Sequence, residues 1–152
     1  CVVLVAPYWD MQASGMLIVL RENTEKEHIV RAALSAMAYQ VRDVYESVIS
    51  DANTDIRELR VDGGASHNNL LLQLQANILG IPVLRAQDEE STALGAAYMA
   101  GLAVGIWRDL AELENLWQED ARFEPKLGEK EREELYDGWQ NAVSHAMGWS
   151  KG

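Results

Sequence analysis

Apolar positions come in blocks whose spacing changes along the chain, and the changes mark the elements. Residues 1–6 (Cys-Val-Val-Leu-Val-Ala) and 16–20 (Met-Leu-Ile-Val-Leu) are short unbroken apolar runs rich in β-branched side chains, the pattern of buried strands. Pro7, Asp10 and Gly15 between them supply turn chemistry. From residue 25 the period becomes helical. Ile29, Ala33, Met37, Val41, Val44 and Val48 recur at three and four, which predicts one amphipathic helix over 25–50, opened by a Thr24-x-x-Glu27 capping box.

The second half repeats the alternation. Leu59 to Asp62 predicts a strand, and Asn69 to Leu79 a helix with Leu70, Leu71, Leu74 and Ile78 on one face and Gly80 at its C-terminal cap. Residues 81–86 (Ile-Pro-Val-Leu-Arg-Ala) predict a third short strand. Ser91-Thr92 then opens a helix of small side chains that runs to about Trp107. Beyond Trp107 the pattern loosens, with an extended stretch at Phe123-Glu124-Pro125, before Leu135, Trp139, Val143 and Met147 predict a last helix over Glu129 to Trp149 that packs back on the domain. Strand and helix alternating at this pitch predict an α/β fold with a parallel sheet portion.

With 152 residues the chain is long enough to bury a core, and 48% hydrophobic residues argue against disorder. A formal charge of −11 disfavours nucleic acid and acidic membrane surfaces as partners, both of which need clustered Lys and Arg. The acid between Asp109 and Asp137 reads as a solvated surface. No apolar run reaches the length of about 18 residues that a membrane span needs, and no signal sequence opens the chain. The single cysteine, Cys1, excludes an internal disulfide and fits a reducing cytoplasm. The chain opens inside an apolar run, whereas domain boundaries fall in polar linkers, so a fragment of a longer protein is expected.

The chemistry-bearing candidate is Gly63-Gly64, placed where a strand hands over to a helix. Unpaired N–H groups and a partial positive charge at a helix N-terminus attract anions, and glycine removes the Cβ that would hold a phosphate away. Asn68 adds an amide that both donates and accepts. A turn that needs glycine only for its φ angle fits the same residues. His28, His67 and His145 lack metal-ligand spacing, and no metal site is expected. No nucleophile elbow, Walker loop, Cys–His pair or Gly-x-Gly-x-x-Gly fingerprint is present. The Gly95, Ala96, Ala100 and Gly101 face reads first as a close-packing surface.

Several segments, taken together, resemble a known family. "APYWD" (6–10), "HIVRAAL" with "AYQVRDV" (28–44), "ELRVDGGASHNNLLLQLQANILGIPV" (58–83), "STALGAAYMAGLAVGIW" (91–107) and a Trp- and Tyr-bearing tail are similar to the C-terminal domain of the glycerol kinases, within the FGGY carbohydrate kinases of the actin-like ATPase superfamily. The resemblance runs from Cys1 to Trp149. It implies a ribonuclease-H-like α/β domain, incomplete at its N-terminus, occupying 1–152, with 108–152 as a C-terminal extension and closing helix.

The resemblance also implies an activity: Mg-ATP-dependent phosphorylation of glycerol in the cytoplasm by a homo-oligomeric parent enzyme. It places Gly64 and Asn68 among the contacts to ATP or ADP, with Gly63 and Ala65 shaping the loop. It assigns no catalytic residue and no Mg2+ ligand to this stretch, because the family's glycerol pocket and aspartate base lie in a preceding domain. Departures from the family pattern include Val19 for glycine and Asn23 for a second glycine, Ser35 for an acid, Asn77 for aspartate and Ala86 for proline. Asn23 tolerates the left-handed region, so that exchange is mild. A same-family kinase for another polyol or sugar, and a degenerate non-catalytic interaction module, are the alternative readings.

Overall fold

The computed structural model describes residues 4, 6–10, 13–88 and 90–147. Its first long element is α1, Lys26–Ala52. Here His28 Nδ1 accepts from the Glu25 backbone N–H at 3.1 Å. Thr24 Oγ1 accepts instead from the Arg21 N–H at 2.8 Å, so the cap sits one residue later than the Thr24 pattern predicts. The helix ends at Asn53 in the left-handed conformation, with φ 46 and ψ 46.

Strand β1 (Leu59–Val61) pairs in parallel with β2 (Val83–Ala86), as the alternation predicts. Between them, after a 3-10 turn at Gly64–His67, comes α2, Asn69–Leu79, closed by Gly80 at φ 73. Then follow α3 (Ser91–Ala103), a short α4 (Leu110–Glu114), β3 (Glu119–Phe123) and α5 (Glu129–Ala146). The sequence reading lacks α4 and β3. The latter lies antiparallel on β2 and completes a sheet of order β1-β2-β3. In Glu-Asp-Ala-Arg-Phe, Ala121 and Phe123 alternate as a strand should, but the acidic pair before them and Arg122 between them obscure the pattern.

The core lies where α2 covers the sheet. Leu72, Ala76, Leu79 and Val83 are buried, with Val41 and Tyr45 of α1, Leu59, Val61 and Phe123 packed on them. A second cluster joins Ala38 to Leu74 and Ile78. Two predicted faces therefore rotate. On α2, Leu72 is buried and Leu70 is exposed. On α1 the packed positions are Leu34, Ala38, Val41, Arg42 and Tyr45, whereas Ile29, Met37, Val44 and Val48 are exposed. The shift on α1 follows from two charged residues that turn inward.

Those residues are Arg42 and Asp43, both buried. Arg42 Nε donates to Glu46 at 2.7 Å, Nη2 to Glu133 at 2.6 Å and Nη1 to the Ile78 carbonyl at 3.3 Å, while its guanidinium lies 4.0 Å from the centre of the Tyr136 ring. Burial works against the arginine's charge, but the Glu133 and Glu46 hydrogen bonds outweigh it and hold its pKa above the usual value. Asp43 accepts from the Tyr136 hydroxyl at 2.6 Å, Trp139 Nε1 at 2.9 Å and the Tyr8 hydroxyl at 3.1 Å. Burial raises the Asp43 carboxyl, and the three hydrogen bonds oppose the rise. The same burial and the Asp43 charge push Tyr8 up to about 12, so it stays a donor at neutral pH. Residues 132, 136, 139 and 143 thus form the inner face of α5, and Leu135 and Met147 are exposed.

The predicted strand at 16–20 is not one. Met16 to Leu20 run as exposed irregular chain, and no described strand lies beside them to take up their backbone groups. Val19 stands at φ 59, and Asn23 is not among the positive-φ residues. The left-handed conformation thus falls on a β-branched residue, at the position where the resemblance leads one to expect glycine, and there it costs most. The predicted strand at 1–6 lies largely outside the described residues; Leu4 makes a single antiparallel bridge to Asp10. Trp149 also lies outside them.

Two outcomes follow for stability. Val19 is 72% exposed, so Val19→Gly loses little burial and is expected to stabilise the intact protein by about 1 kcal/mol through relief of the left-handed strain. A lowered melting temperature would refute it. Asp43→Ala orphans three donors and is expected to cost about 3 kcal/mol, against about 1 kcal/mol for Tyr136→Phe, which removes one. Calorimetric melting of both variants checks the order; equal effects would show that the carboxylate is not the hub.

Candidate functional site

The junction after β1 is built by its backbone. Gly63 has φ 78 and ψ 175, a combination that essentially only glycine adopts. That geometry swings the chain out of the strand and into the 3-10 turn. The turn closes on the Gly63 carbonyl, which accepts from the Ser66 N–H at 3.0 Å and from Ser66 Oγ at 2.7 Å. The Asn68 N–H donates to the Ala65 carbonyl at 3.2 Å, and Asn68 Oδ1 caps α2 by accepting from the Leu71 N–H at 3.1 Å. Gly63, Gly64, Ala65 and Asn68 therefore lie on one continuous turn at the head of α2.

Gly64 differs from Gly63. Its φ is ordinary, and a Cβ built on it would meet nothing within 4 Å. Neither strain nor packing within the described chain calls for glycine there. With the Asn68 oxygen committed to the cap, its Nδ2 group is the side chain's donor end. The parallel strands β1 and β2 both end on this side of the sheet, the edge where open α/β sheets take their ligands.

The surroundings brace the turn. Ser91 Oγ donates to Asp62, so Ser91 ties the head of α3 to the residue before the glycines, while Glu90 takes the cap position that Ser91-Thr92 predicts. Arg85, an ordinary strand residue by its sequence, reaches across from β2: Nη1 donates to the Ser66 carbonyl at 3.0 Å and to Asn69 Oδ1 at 2.9 Å, and Nε to Asp120 Oδ2 at 2.6 Å. No local pattern signals these contacts, because their partners lie 16 to 35 residues away.

The other candidates fall elsewhere. His28 serves the α1 cap, and His145 Nδ1 donates to the Asn141 carbonyl at 2.8 Å on the exposed side of α5. His67 closes the 3-10 turn. In the small-residue face, Gly101 is covered by the Trp107 ring, which meets Tyr98 edge-on at 5.3 Å, so close packing accounts for that glycine.

Residues 2–104 match the model of the FGGY family of carbohydrate kinases, C-terminal domain. Glycerol kinase 2 of Thermotoga maritima is 55% identical over 148 residues, covering 97% of this chain and 30% of its own length. The glycerol kinase of Caldanaerobacter subterraneus is 53% identical over the same span. The crystal structure of Plasmodium falciparum glycerol kinase with ADP superposes with a TM-score of 0.85 at 33% identity, covering 96% of this chain and 29% of that one. The chain therefore spans about 30% of the length of the relatives it matches. The likeness to the solved kinases gives the α/β architecture its place among actin-like ATPase folds.

The two glycines are expected to answer substitution differently. Gly63→Ala forces a Cβ into a glycine-only conformation and should destabilise the protein by about 1–3 kcal/mol. Gly64→Ala should stay within about 0.5 kcal/mol of the parent, because its Cβ projects into open space. Thermal unfolding of both in the intact protein decides the matter; a large loss for Gly64→Ala would mean that the chain itself needs the glycine.

Proposed function

The chain belongs to the FGGY family of carbohydrate kinases, and from that premise we propose that it is the nucleotide-binding C-terminal part of an ATP-dependent glycerol kinase. The intact enzyme transfers the terminal phosphoryl group of ATP to glycerol, releasing ADP and glycerol 3-phosphate. Residues 108–152 are its C-terminal extension and closing helix. The observation that carries the reading is Gly64, a glycine that the chain's own geometry does not require, at the mouth of a turn that opens a helix. The names of the relatives at 53–55% identity support glycerol as the acceptor.

In this reading Gly63 shapes the turn, Gly64 leaves room for the nucleotide against the backbone, Ala65 keeps the turn small and Asn68 donates from Nδ2. Phosphoryl transfer further requires an in-line acceptor, a metal bridging the phosphates and a group to orient the attacking hydroxyl. The turn from Gly63 to Asn68 contains no carboxylate for Mg2+, and Asp62 is engaged by Ser91. Magnesium ligands, base and glycerol pocket are assigned to the preceding domain, and turnover needs both parts. Among the described residues no helix is long and apolar enough to cross a membrane. We place the enzyme in the cytoplasm as a homo-oligomer.

In the intact protein, Gly64→Val should weaken ADP binding at least about tenfold, because a branched side chain fills the space left open at the turn. Titration calorimetry reads it, and unchanged affinity would remove the turn from the site. The 152-residue chain alone should release no ADP in response to glycerol.

A further inference from the structure

We propose that Arg85 is a positioning residue for the nucleotide turn, acting through Ser66 and Asn69 and held in place by Asp120. The inference rests on the reading of Gly63–Asn68 as the nucleotide site and adds what fixes that site's shape. Arg85 is not itself offered as a ligand contact. Its side chain is 17% exposed, its guanidinium is 5.9 Å from the centre of the Phe123 ring, and its Nε and Nη1 are engaged by Asp120, Ser66 and Asn69.

The geometry gives each bond a separate task. Ser66 is 3% exposed, and the Nη1 bond to its carbonyl anchors the inner side of the 3-10 turn. The same Nη1 fixes Asn69, the first residue of α2, next to the cap residue Asn68. One planar group therefore sets the turn and the head of the helix relative to each other. Asp120, on the neighbouring strand, takes Nε and orients the plane. The β2–β3 register shifts between Arg85 and Ala86, an irregularity of the kind that re-aims a side chain out of the regular strand pattern. Charge-assisted hydrogen bonds of this kind are short and directional, and a small displacement of a binding group costs affinity out of proportion to its size.

The test uses the intact protein and three variants: Arg85→Met, Asp120→Asn and Gly64→Val. Arg85→Met keeps the apolar stem and removes the donors. It is expected to weaken ADP binding by calorimetry, and to raise the KM for Mg-ATP, by about tenfold, with kcat and the KM for glycerol unchanged. A general loss of folding would move all of these together. Asp120→Asn, an exposed change that keeps the strand, should weaken ADP about threefold by loosening the guanidinium. This second variant decides the matter if Arg85→Met does not fold. ADP affinity at the parent value in either folded variant, with Gly64→Val impaired, overturns the positioning role and leaves the site standing. Parent affinity in all three, Gly64→Val included, means that the site reading itself has failed.

Discussion

Two adjacent charged residues in the middle of a helix, both turned inward, set the architecture of this chain. Arg42 and Asp43 cannot be buried without partners, because an unpaired ion in a protein interior costs several kcal/mol. Besides Glu46 on α1 itself, their partners come from the start, the middle and the end of the sequence: Tyr8 before α1, Ile78 near the end of α2, and Glu133, Tyr136 and Trp139 on α5. Satisfying the pair therefore fixes α5 against α1 and α2. The requirement is one of specificity rather than of net stability, since a buried ion pair barely repays its own desolvation. What it excludes is every arrangement in which α5 leaves those donors and acceptors unmet.

That constraint reaches the candidate site through α2. The helix is held along its length by Leu72, Ala76 and Leu79 against the sheet and by Leu74 and Ile78 against Ala38. Its C-terminal end is held by Arg42 on the Ile78 carbonyl, and there the Arg132 side chain lies over Gly80, where a Cβ would stand. With its body immobile, α2 presents its N-terminal end at a defined place beside the ends of β1 and β2. Precision at a binding turn comes from a rigid element behind it, and in the proposed reading that element is α2, clasped at its far end by Arg42 and Arg132.

The parts that were legible in the sequence share a cause, as do the parts that were not. The four longer helices, the strands at 59–62 and 81–86, and the glycine turn between those strands were readable because their signals are local: period, cap and turn chemistry. The face of α1 was misread because Arg42 and Asp43 look like its solvent side until their partners, up to 96 residues away, are known. The run at 16–20 was misread because apolar composition reports a need for burial and not a strand; a strand also needs a neighbour. The strand at Glu119–Phe123 was missed because its outward positions carry charge, and Arg122 is paired there with Glu124 at 2.6 Å. Arg85 was invisible for the same reason as the α1 hub, since its meaning lies wholly in contacts across the fold.

The turn itself shows why a glycine pair cannot be interpreted as a unit. Gly63 answers to the backbone, whose φ and ψ no other residue adopts cheaply. Gly64 answers to empty space, with an ordinary φ and no neighbour for a Cβ. Asn68 divides in the same way, since its oxygen caps α2 while its amide nitrogen takes no part in the cap. In the proposed nucleotide reading, the helix cap and the ligand contact would be properties of one side chain, and the orientation needed for the first would determine the direction offered to the second. In that reading, a cap that fixes the amide before the nucleotide arrives removes a rotamer cost from binding.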